Sequence, residues 1–288
     1  MNHIKKLNHI SLPLLVLALG CGPKKATLPS SANVSDAQPT STDGLAPNNV
    51  VDAAGDGGAA IKNNLKAETI IEKSLAAMGG EDAMLNIKTL EARDCGLEIS
   101  PMGLKGKSTS IHQSPSSYKM IQELVGVGKT EAGYDGEVAW EMSSMTGARI
   151  VEGDEKLAVI ESTDLTKDAN WQKYYTSATS DGTARIGDKN ALKVNFARKN
   201  GKDVTRYYDM ETFYLLREER EDTTQMGVIK SEMNFEDYRK VGGVLMAHRI
   251  RVKAASATVL MTCANMVANK EIDPAEFAIP EEIKKLKK

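Results

Sequence analysis

The sequence predicts a mainly β protein with some α: a curled antiparallel sheet, an open half-barrel of about eleven or twelve strands, wrapped around an N-terminal helix and mid-chain helices. Three observations predict it. About a dozen runs of strand length follow one another, each alternating or clustering apolar residues. Short turn signals divide them, with Asp135-Gly136, Asn200-Gly201 and Gly242-Gly243 suited to tight hairpins. Helical patterning appears before the first run and again in the middle of the chain. A meander of that many strands must curl, and curling around helices buries its concave face. A closed lipocalin-like barrel competes, but accounts less readily for helices in mid-chain.

The elements follow in order. Over 67–78 the residues Ile70, Ile71, Leu75 and Met78 share one helical stripe, and Gly79-Gly80 stops the helix. A second short helical turn occupies 81–86. The expected strands are 89–99, 104–112, 117–124, 129–134, 138–142, 183–186, 191–197, 204–208, 214–221, 228–235, 246–252 and 258–267. The helical interruption covers 152–161 and continues from Leu165 to about Tyr174. No repeat of solenoid or propeller length is visible.

Ahead of the domain, residues 1–20 read as a lipoprotein signal peptide. Lys5 and Lys6 give the positive start, residues 10–19 the apolar run, and Ala18-Leu19-Gly20-Cys21 the cleavage box. The run is half the roughly twenty residues a membrane-spanning helix needs, so removal is expected, with Cys21 becoming the lipid-bearing first residue. An ordinary secretory signal with a chance cysteine is the plainer alternative. Residues 21–63 are Ser, Pro, Asn, Asp, Gly and Ala with few large apolar side chains, a flexible tether. The domain then spans 64–280, and 281–288 form a basic tail expected to be frayed and solvated. Gly22 follows the cysteine, not the Asp that retains lipoproteins at the inner membrane of enteric bacteria, which favours the outer membrane facing the periplasm.

Lys+Arg number 37 against Asp+Glu 39, a net charge of −2 over 288 residues, so nothing holds a phosphate backbone and nucleic acid is not an expected partner. With Cys21 spent on lipid, Cys95 and Cys263 remain, each sharing a strand face with apolar neighbours. An oxidising compartment permits a disulfide between them; two separate buried thiols are the alternative.

The most recognisable stretch is Gly133-Tyr134-Asp135-Gly136-Glu137-Val138-Ala139-Trp140-Glu141-Met142. Ala76-Ala77-Met78-Gly79-Gly80 precedes it, and Tyr208-Asp209, Leu215-Leu216-Arg217, Phe235-Glu236-Asp237-Tyr238-Arg239 and Gly243-Val244-Leu245-Met246-Ala247 come after. This layout resembles the outer-membrane lipoprotein-sorting-like proteins, the superfamily of the periplasmic carrier LolA and the receptor LolB. The resemblance implies an open antiparallel barrel around helices, with an apolar cavity for acyl chains.

On the residues alone, 13 Met against 4 Phe would give an interior of flexible, polarisable side chains that adapts to a floppy ligand. Alternation nominates Tyr118, Met120 and Leu124; Trp140 and Met142 with Val138; Val194 and Phe196 with Leu192; Met233 and Phe235 with Ile229; and Met261 with Val259 as inward residues. A plain packed core shows the same alternation.

Enzyme chemistry finds little support. His112 and His248 carry no ligand spacing and are expected to face water, and no nucleophile elbow or phosphate loop is present. Glu218, Glu219, Glu221 and Asp222 read as a solvated strand and turn. The expectation is a non-enzymatic, cofactor-free, membrane-anchored envelope lipoprotein that binds the acyl chains of a lipid or lipoprotein. A sensing module that signals through an envelope protein partner is the alternative.

Overall fold

The computed structural model describes residues 64–287 apart from 225–226. The signal, Cys21, the tether and Lys288 lie outside the described residues. Order begins with α1 (Ala67–Ala77), which buries Ala67, Ile70, Ile71 and Ser74 on one side, and with α2 (Glu81–Leu85). The turn between them presses on the sheet: a Cβ on Gly79, at φ 127°, would lie 2.5 Å from the Gly243 carbonyl oxygen. The Leu245 amide donates to the Met78 carbonyl at 2.7 Å beside it.

The strands are β1 (Thr89–Ser100), β2 (Leu104–Gln113), β3 (Ser117–Leu124), β4 (Gly128–Tyr134), β5 (Ala139–Ser143) and β6 (Gly147–Val151). Then comes α3 (Gly153–Thr163), with a 3-10 turn at Trp171–Lys173. The chain continues with β7 (Tyr175–Ile186), β8 (Lys189–Arg198), β9 (Val204–Asp209), β10 (Leu215–Thr224), β11 (Gly227–Val241), β12 (Val244–Ala254), β13 (Ala257–Thr262) and β14 (Met266–Ala268). One antiparallel sheet holds them in the order β6-β5-β4-β3-β2-β1-β13-β12-β11-β10-β9-β8-β7, with β14 on β1. Each half is a meander of neighbours. The halves meet where β1 pairs with β13 and β14, and the edge strands β6 and β7 are joined by the helical insertion. The sheet is curled and unclosed.

Fourteen strands exceed the expected number for identifiable reasons. The short β6 follows the Ser143-Ser144-Met145-Thr146-Gly147 turn and is not among the expected strands, and the expected 258–267 strand divides into β13 and β14. β7 begins at Tyr175 because its polar first half, Thr-Ser-Ala-Thr-Ser-Asp, hides the alternation. The second mid-chain helix is replaced by turns. The buried Asp164 carboxylate accepts from the Thr166 amide (3.0 Å), Thr166 Oγ1 (2.6 Å), Tyr174 Oη (2.7 Å) and Lys173 Nζ (2.9 Å), a side-chain knot that competes with helical hydrogen bonds.

The faces of β5 correct an expectation. Tyr134 pairs with Ala139 and Gly133 with Trp140, so Ala139 shares the concave face with Tyr118, Met120, Tyr134 and the α3 residues Val159 and Ile160. Val138, Trp140 and Met142 face the other way. The Trp140 indole lies over Gly133, where a Cβ would approach it to 2.6 Å. Outside it sits α4 (Glu281–Lys284), whose Ile283 is 0% exposed. The tail is therefore docked through an apolar residue while its lysines stay in water, and the segment before it adds Ile272 and Phe277 against Ile111.

Candidate functional site: an apolar cavity with a charged floor

A cavity of about 260 Å³ lies between α1 and the half of the sheet formed by β9–β12. The stripe that makes α1 amphipathic supplies Ile71, Leu75 and Met78, spaced so that they project from one face. Met84, Ile87 and Leu90 close the side toward α2 and β1, and Leu165 and Trp171 come from the insertion. The sheet contributes Phe196, Leu215, Phe235, Ile250 and the start of β12 from Val244 to Ala247. Polar groups are few: Ser74, Asp168, Arg206, Tyr208 and Tyr238. Tyr238 is satisfied, donating to the Leu215 carbonyl at 2.7 Å, and burial raises the Tyr208 hydroxyl to about 12.

Arg206 is the centre of that polar floor. Its Nε donates to Glu218 at 2.9 Å and its Nη1 to Asp168 at 3.0 Å, while its Cζ sits 4.9 Å from the centre of the Phe196 ring. Burial disfavours its charge, but Asp168 and Glu218 outweigh that and hold the guanidinium well above its ordinary range. Burial likewise opposes ionisation of Glu218, and Arg206, Lys167 and Arg220 overcome it, bringing the carboxyl down to about 2. Both groups are charged at neutral pH. Glu218 is thus not part of a solvated run; it is buried on the concave face, one strand from Arg206.

Of the fourteen apolar residues nominated by alternation, Phe196 and Phe235 line this cavity. Val194 is fully buried in the cluster behind it, where α1 meets β7–β9. Met233 faces Glu218 and Val252 across its neighbours, half-buried and outside the wall. Tyr118 and Met120 pack beneath α3, and Leu124 and Met261 pack with Leu97, Ile99 and Val259. Trp140 and Met142 lie toward α4. The helix stripe and the polar floor were not nominated. The stripe carried its own signal, since a helix inside a half-barrel must show its apolar face to whatever space the barrel leaves.

Cys95 and Cys263 form a disulfide across the seam between the two halves, 168 residues apart. Both histidines turn inward, contrary to expectation. His248 is 5% exposed and its Nδ1 donates to the Cys263 carbonyl at 2.7 Å. Nδ1 of His112 is shut off from water, and burial, aided by Lys167, lowers that ring to about 4. Among the described residues, no group of three or more His, Cys, Asp or Glu is placed to hold a metal ion, and no helix is long and apolar enough to cross a membrane.

A LolA superfamily protein of Nitrosomonas europaea shares this architecture, with a TM-score of 0.50 and 11% identity over 75% of this chain and 98% of that one. A DUF1329 family protein of Desulfovibrio piger superposes with a TM-score of 0.49 and 11% identity, covering 74% of this chain and 97% of that one. The sequence matches no protein-family model and no curated protein.

Proposed function

We propose, for a chain with the LolA/LolB-like fold, that it is an envelope lipoprotein that shelters an acyl chain in the cavity beneath α1. The observation that carries this is the cavity itself: a mostly apolar hollow of about 260 Å³ inside the sheet, lined by aliphatic, Met and aromatic side chains. It falls just under the roughly 300–1,000 Å³ of small-molecule sites, which favours one chain over two. Each methylene that leaves water for such a lining contributes about 0.8 kcal/mol. Binding is partition, without covalent chemistry, and release needs only a surface that takes the chain more favourably.

The N-terminal sequence supports the location. A basic start, a ten-residue apolar run and Cys21 after Ala18-Leu19-Gly20 propose a lipid-anchored, periplasm-facing protein on a long tether. Native mass spectrometry of the purified protein, followed by lipid extraction, tests the binding reading. The expected result is one single-chain lipid per protein; an interior that neither co-purifies with nor takes up any apolar chain overturns it. Cys21→Ser is expected to move the protein from the membrane fraction to the soluble periplasm, as fractionation reads directly.

A further inference from the structure

A purely apolar ligand would have no use for the arginine in the cavity floor. Arg206 rests against the rings of Phe196 and Tyr175, 4.9 and 5.7 Å from their centres, and two carboxylates of unequal standing share its guanidinium. Glu218 is built into the neighbouring strand, with its side chain 7% exposed. Asp168 reaches in from the insertion, and its side chain is 43% exposed. Removing Glu218 would leave the buried Arg206 paired with the half-exposed Asp168. Asp168 is different: it can turn to water and be hydrated there, provided another anion takes its place on Nη1.

We propose that the cavity binds a single-chain carboxylic acid of medium length, whose carboxylate replaces Asp168 on Arg206 while its tail fills the hollow beneath α1. This rests on the acyl-chain reading above and adds the head group. The exchange is neutral in charge, one carboxylate for another, so the floor buries no new net charge. The fixed carboxylate is already shared: Glu218 lies 2.9 Å from Arg206 and 3.7 Å from Arg220, so two guanidiniums meet one fixed carboxylate once Asp168 has swung out. A neutral alcohol or ester offers Nη1 only a dipole, whereas a carboxylate brings a full opposite charge and completes an ion pair with the guanidinium. A cavity of about 260 Å³ disfavours lipids with two chains.

Isothermal titration of the full-length protein with decanoate and with decanol, at about pH 8 where the acid is fully ionised, tests the assignment. Wild type is expected to bind decanoate more tightly than decanol. Asp168→Asn removes the competing carboxylate, and the decanoate-to-decanol affinity ratio is expected to rise about tenfold, as one charge-assisted hydrogen bond commands. Arg206→Gln combined with Glu218→Gln removes both buried charges together and is expected to bring the ratio to about one. A ratio of one in wild type, or a ratio that Asp168→Asn leaves unchanged, overturns the head-group assignment while decanol binding still upholds the acyl-chain reading. Failure of both ligands to bind overturns the two together.

Discussion

The two halves of the sheet start from the same pattern and end differently. In the β1–β6 half, Tyr118, Met120, Ala132, Tyr134, Ala139 and Val151 meet Val159 and Ile160 of α3, leaving a crevice of about 20 Å³. In the half built on β9–β12 the covering helix is α1, and a hollow of about 260 Å³ remains. Each half also sets an arginine between two carboxylates. Arg149 holds Glu141 at 2.9 Å and Glu155 at 2.8 Å in the filled half; Arg206 holds Glu218 and Asp168 in the hollow one. In the first, both carboxylates are closed in, with side chains 3% and 8% exposed, whereas Asp168 is open to water. Filling and charge closure go together, and the half left unfilled is the half with an exchangeable acid.

The largest expected effect tests whether the halves are one unit. The disulfide ties β1 to the end of β13, at the seam where β1 pairs with the distant β13 and β14. Replacing Cys95 and Cys263 by Ser frees a loop of 168 residues and is expected to cost on the order of 4–5 kcal/mol. Urea unfolding should shift as a single transition. Two separated transitions would show that the halves fold independently and that the seam is a contact, not a shared core.

The next effect separates the two arginine sites by pH. Glu218 has its folded pKa depressed to about 2 from 4.5, so its contribution is complete above about 4.5 and is lost as pH falls through 2. Glu218→Gln is therefore expected to cost on the order of 3 kcal/mol near pH 7, with the gap to wild type narrowing as the pH is lowered from about 5 to about 2. Glu141 runs the other way. Burial is the main cause that raises its folded pKa, with Glu155 adding to it against the pull of Arg149. Protonation then favours the native state, so the contribution of Glu141 improves as pH falls through the raised pKa. Glu141→Gln, which leaves Arg149 its partner Glu155, is expected to cost less at neutral pH than Glu218→Gln. Denaturant midpoints across the pH range for both variants read the contrast.

Much of the fold was legible because it rests on local patterns. The stripe at Ile70, Ile71, Leu75 and Met78 fixed α1, and the Asp-Gly and Gly-Gly turns fixed the β4–β5 and β11–β12 hairpins. The site was less legible, because alternation says which residues share a face and not which face is in. Val138-Ala139-Trp140 is apolar at three successive positions, the mark of a strand covered on both sides, and α4 supplies the second cover. Nor does alternation distinguish a wall from a core: Val194 and Phe196 share a face, yet only Phe196 borders the hollow. Glu218 belongs to a run that reads as solvated, Arg206 carries no signal of its own, and only the register of β9 on β10 brings them together inside.

The smallest expected change in stability bears most directly on the contrast between filled and hollow. Ala139 is 0% exposed in the packed half, and Ala247 borders the cavity in the other. Ala139→Leu forces added atoms into occupied space and is expected to destabilise by about 1–3 kcal/mol. Ala247→Leu places the same atoms where none stand, and each methylene buried there returns about 0.8 kcal/mol, so its urea midpoint is expected at or slightly above wild type. Its binding of decanol should weaken in the same measure as the hollow is filled. Equal losses of stability in the two variants would mean that the space beneath α1 closes in solution, and that the two halves differ in sequence but not in packing.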